Sequence, residues 1–382
     1  MWLVTKKQIL LFVAMFILFA QTMLVLDFMP ILDVLFSGLR LFIFFILLFC
    51  LYLKHFYLTR LEYVLLLYAI FLGSVSFLFS ELKTMFLFQF INISTLFIIF
   101  KFFDYRDILK SAVIILSSFV YLNLLLTIVS PNAHFYIDGK AAFILGRNYN
   151  SMGPVLLTAI ITNAFYFYNT HKMLLNLLII SISSFSTVLI MGSMTSVVGI
   201  ALTVLFILFS KIKGARFALK IFFIFVLSFN FILIYMQMEI NNNYAIWFIE
   251  DILGKDMTFT DRARVWLEAV DLIIESHWIG YGLQPPEWFD YHFNVLSAHN
   301  FILTMLLKGG IILLCIFVII LIICIKNANK NTTKSITFLQ FGCCSFLLMM
   351  TMESYSMMFV FYYLFLNYFS VNLYLEDGNQ MS

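Results

Sequence analysis

Four cations and one imidazole set out the chemistry this sequence could carry. Arg147 stands in Gly146-Arg147-Asn148-Tyr149-Asn150, Arg262 and Arg264 in Asp261-Arg262-Ala263-Arg264, Lys308 in Leu307-Lys308-Gly309-Gly310, and His299 between Ala298 and Asn300. A guanidinium group can grip a diphosphate through two parallel hydrogen bonds, and a low surrounding dielectric strengthens the attraction. An imidazole with an unperturbed pKa of about 6.5 can take a proton from a hydroxyl near neutral pH. The residue types therefore suit an anionic, lipid-linked substrate that meets an alcohol. Each has a plainer alternative: the cations can snorkel to lipid phosphates or pair with Asp261, Glu268 and Glu275, and His299 can simply cap a helix. Arg40 lies about ten residues inside an apolar run, within reach of the outer surface past Ser37 and Gly38, and joins the candidates on the cost of a charge in lipid. Asn150 and Asn300 complete the set as groups able to orient sugar or phosphate.

Other signatures are missing. Asp290 and His292 are two apart without further ligands, and His134 and His277 stand alone, so no metal site is expected. The sequence holds no Gly-rich phosphate loop, no nucleophile elbow and no paired acidic motif on an outer loop to hold a divalent ion, so no cofactor is expected either. Cys50, Cys315, Cys324, Cys343 and Cys344 all lie in apolar runs, which argues against a disulfide framework or a thiolate metal site.

What must position these residues is a membrane bundle. The chain has 382 residues, 63% hydrophobic and 11% charged, with a mean hydropathy of +1.01, far from the balance of a soluble domain. An apolar run of about 18 or more residues can cross a hydrocarbon core as a helix, because lipid offers no partners for bare backbone groups. Such runs recur near residues 8–26, 31–53, 61–79, 84–100, 108–130, 152–168, 173–191, 195–210, 217–236, 299–325, 336–352 and 355–374, giving an all-α polytopic bundle of about twelve spans in a single integral membrane domain over residues 1–382. Glu353, between the last two runs, marks a tight hairpin.

Most of the 23 basic residues, among them Lys6, Lys7, Arg60, Lys101, Arg106, Lys110, Lys211, Lys213, Arg216 and Lys220, fall on alternate loops. Lys and Arg accumulate on the cytoplasmic side, so both termini are expected there. The net charge of +3 reflects this bias, and nucleic acid is not an expected partner.

The polar residues are distributed unevenly. Residues 237–298 form one large extracytoplasmic loop, residues 131–151 a smaller one, and the remaining turns are short. Within the large loop Thr260 can cap a helix over about 261–276, with Arg262, Val265, Trp266, Ala269, Val270, Ile273 and Ile274 on one face and Arg264, Glu268, Asp271 and Glu275 on the other. That amphipathic helix belongs on the membrane surface or on the outer ends of the bundle. Gly280, Gly282, Pro285 and Pro286 end it and open an irregular loop with Trp288, Tyr291 and Phe293, rings that suit sugar stacking and the membrane interface equally. The chain shows no repeat and no inverted pair of interrupted helices.

Arg262 with Trp266 four residues on, then Gly280-Tyr281-Gly282, His299-Asn300 and Gly309-Gly310, resembles the O-antigen ligase and Wzy-type polysaccharide polymerase superfamily. Gly146-Arg147-Asn148-Tyr149-Asn150 resembles an outer-loop element of the same family. The motifs cover about residues 140–310 and the topology covers the whole chain. One departure stands out: where the family often carries an Arg after a Ser, Ser193 is followed by Met194.

The resemblance implies a metal-independent glycosyltransferase of the bacterial plasma (inner) membrane. Its donor would be a growing glycan on undecaprenyl diphosphate, its acceptor another lipid-linked repeat unit, and its working partners a chain-length regulator and a flippase. In that picture Arg147 and Arg262 hold the diphosphate, His299 is the base, and Arg264, Asn150, Asn300, Lys308 and Arg40 bind substrate. Two rival readings stand beside the polymerase. A ligase of the same superfamily would move finished glycan to another acceptor. A flippase would spread its cations along a central cavity, whereas these gather at one face.

Overall fold

The computed structural model describes residues 5–20, 30–53, 58–80, 84–137, 140–146, 150–209, 215–238, 262–330 and 333–371. Through them run the helices α1 (Lys6–Ala20), α2 (Pro30–Tyr52), α3 (Arg60–Phe79), α4 (Thr84–Phe102) and α5 (Tyr105–Val129), then a hairpin of β1 (Phe135–Ile137) and β2 (Lys140–Ala142). There follow α6 (Gly153–Thr170), α7 (Leu174–Ile190), α8 (Met194–Phe209), α9 (Ala215–Met238), α10 (Arg262–Glu275), α11 (Pro286–Phe293), α12 (Phe301–Ala328), α13 (Lys334–Met349) and α14 (Met357–Phe369). Five helical stretches, Ile31–Tyr52, Arg60–Phe79, Tyr105–Val129, Ala215–Ile234 and Phe301–Ala328, are long and apolar enough to cross a bilayer, and further apolar helices are shorter. The chain is a multi-pass helical membrane protein.

The middle of the bundle is α6 and α14. Gly153 to Phe165 are buried without a break in α6, as are Met357 to Asn367 in α14. Helices apolar on every face must be enclosed by other helices. Their few polar groups pair inside: Tyr363 Oη lies 2.8 Å from Thr158 Oγ1 and Tyr362 Oη 3.1 Å from Thr162 Oγ1. On the periphery, Val34 of α2 and Phe231 of α9 are 72% and 73% exposed. Wide apolar faces of this kind suit lipid and not water.

The structure adds one element to what the sequence predicts and corrects one expectation. The small loop over 131–151 contains the β1–β2 ladder, with Tyr136 opposite Ala141. It is latched by His134, whose Nδ1 accepts the Ile144 N–H at 3.1 Å while Nε2 meets Thr127 Oγ1 at 3.1 Å. Burial pushes the His134 pKa down, which keeps the ring neutral, as a nitrogen accepting an amide proton requires. The stretch after Pro285, expected to be irregular, forms α11: Pro286 occupies the first helical position, where a missing N–H costs nothing, and Asn294 ends the helix in the left-handed region. The amphipathic helix lies where its periodicity placed it, as α10, and Val265, Trp266 and Ala269 pack against Leu303 and Leu307 of α12. Thr260, its expected cap, and Arg147 lie outside the described residues.

The break in α12 is the feature that shapes the end of the bundle beside α10. Gly309 and Gly310 leave helical geometry, Gly310 with φ +59. The backbone groups this frees are taken up by the segment between α10 and α11. Tyr281 N–H donates to the Leu307 carbonyl at 2.7 Å and Gly282 N–H to that of Lys308 at 2.9 Å. In return Ile311 N–H donates to the His277 carbonyl at 2.9 Å. A helix can be interrupted at membrane depth only when its bare groups find such partners. The same segment is tied to α3, where Leu283 N–H donates to Ser76 Oγ at 3.0 Å and Gln284 Nε2 to the Phe79 carbonyl at 3.0 Å.

A Cβ on Gly310 would stand 2.3 Å from the Trp278 carbonyl, and one on Gly280, itself at φ +63, 2.5 Å from the Leu307 oxygen. Gly280→Ala and Gly310→Ala should each destabilise the protein by at least roughly 1–3 kcal/mol from backbone conformation alone. Gly38→Ala, with nothing within 4 Å inside α2, should leave the thermal midpoint in detergent unchanged or raised. Equal midpoints for all three variants would contradict the stitched-break account.

Candidate functional site

Arg262 opens α10, and one turn later on the same face Trp266 is buried to 1% exposure. Its indole N–H donates to the Ala298 carbonyl at 3.0 Å. The Arg-x-x-x-Trp spacing therefore does a structural job, fixing the residue before His299 one helical turn from the guanidinium.

Asn300 holds the other side. It is the N-cap of α12, accepting from Leu303 N–H at 3.1 Å, while its Nδ2 donates to Asn230 Oδ1 at 2.7 Å and the Thr351 carbonyl at 2.9 Å. Phe301 N–H donates to the Met350 carbonyl at 3.0 Å, and Thr304 Oγ1 lies 2.7 Å from Ser354 Oγ. Together these bonds fasten the start of α12 to the turn between α13 and α14.

That fastening sets Glu353 opposite His299. The carboxylate, on a residue 7% exposed, collects three partners. Oε2 lies 2.9 Å from His299 Nδ1, and Oε1 accepts from Asn150 Nδ2 at 2.9 Å and from the Arg262 guanidinium. Asn150 Oδ1 in turn accepts from Ser193 Oγ at 2.9 Å, and Ser196 Oγ stands 2.8 Å from that hydroxyl. Ser193, which precedes Met194, thus reaches the site through Asn150. Burial, with the Glu353 charge second, pushes the Tyr355 phenol well above the usual tyrosine range, so it stays protonated.

Two consequences are chemical. A carboxylate on Nδ1 favours the proton on that nitrogen and a lone pair on Nε2. Nε2 has no hydrogen-bond partner among the described residues, and the side chain is 28% exposed, so it can receive a proton from an incoming group. Arg262 spends only one Nη on Glu353, and its remaining N–H groups are without partners among the described residues. His299 itself sits at φ +49, a left-handed conformation costing a residue with a side chain roughly 1–2 kcal/mol, which the surrounding bonds must offset.

The other candidates lie apart. Arg264 is committed to Glu268, through two contacts of 2.8 Å, and to the Phe293 carbonyl at 2.7 Å. Asn300 is fully buried with its side chain fully engaged, so its place is beneath the site. Lys308 follows the helix to the Gly309–Gly310 break and its side chain has no ion pair among the described residues. Arg40 turns toward the start of α2, to Ser37 Oγ at 2.7 Å and Asp33 at 3.7 Å, over the Phe88 ring. Glu353, marked in the sequence only by a hairpin, joins the cluster; a carboxylate inside an apolar run is its signal.

Residues 155–318 match the Wzy_C family model, O-antigen ligase. This bears out the resemblance drawn from the motifs and points to an O-antigen ligase- or polymerase-type membrane enzyme. The matched segment is under half of the chain. It contains Arg262, Arg264, His299, Asn300 and Lys308, whereas Arg40, Arg147, Asn150 and Glu353 lie outside it. Searches of curated proteins and of solved structures returned no match.

The Arg262–Glu353 pair has side chains 14% and 9% exposed, against 36% and 37% for Arg264–Glu268. A double-mutant cycle to Ala should give a coupling above about 1 kcal/mol for the first pair, since contacting groups in one network couple by roughly 0.5–3 kcal/mol. The second, an exposed pair one turn apart, should give about 0.3–0.5 kcal/mol. Unfolding in detergent reads both, and additive effects at Arg262 and Glu353 would show the bridge to be incidental.

Proposed function

We propose that the chain is a polymerase that joins oligosaccharide repeat units carried on undecaprenyl diphosphate into surface polysaccharide, O-antigen or capsule. It works at the outer face of a bacterial plasma membrane, with about twelve crossings and both termini in the cytoplasm. The observation that carries this reading is the cluster at Glu353, where a histidine whose Nε2 is unpartnered among the described residues and an arginine with spare donors among them share one carboxylate.

In the reaction the acceptor hydroxyl gives its proton to His299 Nε2 as its oxygen forms a bond to the anomeric carbon of the donor glycan. The bond from that carbon to the diphosphate oxygen breaks, and the lipid diphosphate leaves with the electron pair. The spare donors of Arg262, together with the Arg147 charge expected from the sequence, neutralise the charge gathering on the leaving group. Preorganised donors aimed at developing charge usually supply the largest part of such a rate gain. A positioned base adds about 10² to 10⁴. Glu353 holds His299 in the useful tautomer, a positioning role, and Asn150 fixes the second face of the carboxylate. Arg264, Asn300, Lys308 and Arg40 act from further out, on the glycan, on the lipid or through the scaffold. A chain-length regulator and a flippase are the proteins such a polymerase would work beside.

A ligase reading is favoured by the description of the matched family. It uses the same chemistry with a different acceptor. Surface glycan from a deletion strain complemented with His299→Ala, at equal membrane levels, tests both. Loss of the polymer ladder with single repeat units retained supports the polymerase, loss of all attached glycan supports the ligase, and a normal ladder removes His299 from the chemistry. Glu353→Gln should leave the protein in the membrane and shorten the ladder. Chelation with EDTA should leave the rate of purified enzyme unchanged, because the counter-charges are guanidinium groups; a metal-dependent rate would overturn that assignment.

A further inference from the structure

A cavity of about 510 Å³ lies between α9, α12, α13 and α14, and its polar end is at the end of the bundle away from Glu353. Direction along the helices fixes which end it is. α12 and α14 both begin beside the His299 cluster, and the far end of the cavity is lined by Asn329, just after α12, and Asn367, near the end of α14. α9 reaches the cluster through Asn230 and lines the cavity with its opposite end.

The cavity is polar at one end and apolar at the other. Arg216 and Lys220, both exposed, stand one turn apart on the first turns of α9, with Thr337 and Gln340 of α13 nearby in the lining. Deeper, toward the turn between α13 and α14, Phe317, Phe346 and Val360 form the wall. Asn367 also lines it, 3% exposed. Its amide nitrogen is used, by the Tyr363 carbonyl at 2.9 Å and Cys343 Sγ at 3.2 Å, but its Oδ1 is buried without a hydrogen-bond partner. A buried amide oxygen left bare is costly and calls for a donor. The volume falls among those of pockets that hold small molecules, roughly 300–1,000 Å³.

Cations at the rim, an acceptor within and an apolar interior describe an amphiphile with an anionic headgroup that carries a hydroxyl. Basic pockets between membrane helices hold anionic lipid headgroups in this way. We propose that the cavity binds one molecule of an anionic phospholipid with a hydroxylated headgroup, phosphatidylglycerol in kind. Its phosphate meets Arg216 and Lys220, a headgroup hydroxyl donates to Asn367 Oδ1, and an acyl chain runs between Phe317 and Phe346. The site is separate from the Glu353 cluster and stands whether or not the chain is a polymerase.

Native mass spectrometry of the full-length protein, delipidated in detergent and titrated with phosphatidylglycerol or phosphatidylcholine, decides the matter. One phosphatidylglycerol should be retained per chain and phosphatidylcholine should be lost at the same collision energy. The double variant Arg216→Gln, Lys220→Gln should weaken retention at least tenfold. Leu219→Trp, which fills the apolar lining and leaves both cations in place, should abolish it with the thermal midpoint of the lipid-free protein preserved. Equal retention of the two lipids, or retention of phosphatidylglycerol untouched by Leu219→Trp, would overturn the proposal, and neither readout depends on glycan synthesis.

Discussion

A carboxylate enclosed among helices must be paired, and Glu353 is paired three ways. Its oxygens draw together the first turn of α10, the residue before the Asn300 cap of α12 and the stretch ahead of α6, segments far apart in sequence. Removing a charge from water costs several kcal/mol per ion unless opposite charge and hydrogen bonds replace the lost hydration. The pairing is therefore a condition on the fold as well as on chemistry. Were Arg262 or His299 displaced, the turn between α13 and α14 would carry an uncompensated charge.

Around that ion the protein builds rigidity from backbone bonds more than from side chains. The interruption of α12 exposes carbonyl and amide groups that nothing in lipid could satisfy, and the glycine-bearing segment after α10 supplies them one for one. The segment is fixed in turn to α3, which joins α10, α12 and α3 at the site end. Trp266 and Asn300 extend this framework to the residues flanking His299. A histidine in the left-handed region needs such a frame.

The candidate site was legible in the sequence only in part. Arg262 and His299 were legible because charge or an imidazole at the edge of an apolar run has few ordinary uses. The glycine pairs were legible as a pattern, and the structure supplies their reason, which is contact between backbones that a Cβ would block. Asn300 looked like a ligand-binding amide and is the cap and clamp of α12, since an N-cap asparagine and a binding-site asparagine look the same in sequence. Arg264 and Glu268, one turn apart, satisfy each other. The run after Pro285 became a helix because a proline at the first helical position favours what a proline elsewhere breaks.

By itself the sequence determined the medium and the elements. Runs of apolar residues leave the backbone no choice but helices, and the period of residues 262–275 orients α10, because these properties are local and follow from hydrogen bonding and burial along one segment. Only the tertiary structure decided that Glu353 is the hub, that Asn150 and Ser193 join it, and that the break in α12 is closed by a loop about thirty residues upstream. Those are pairings between segments distant in sequence, settled by which side chains can share a buried charge and which backbones can touch, and no pattern along a single chain encodes them.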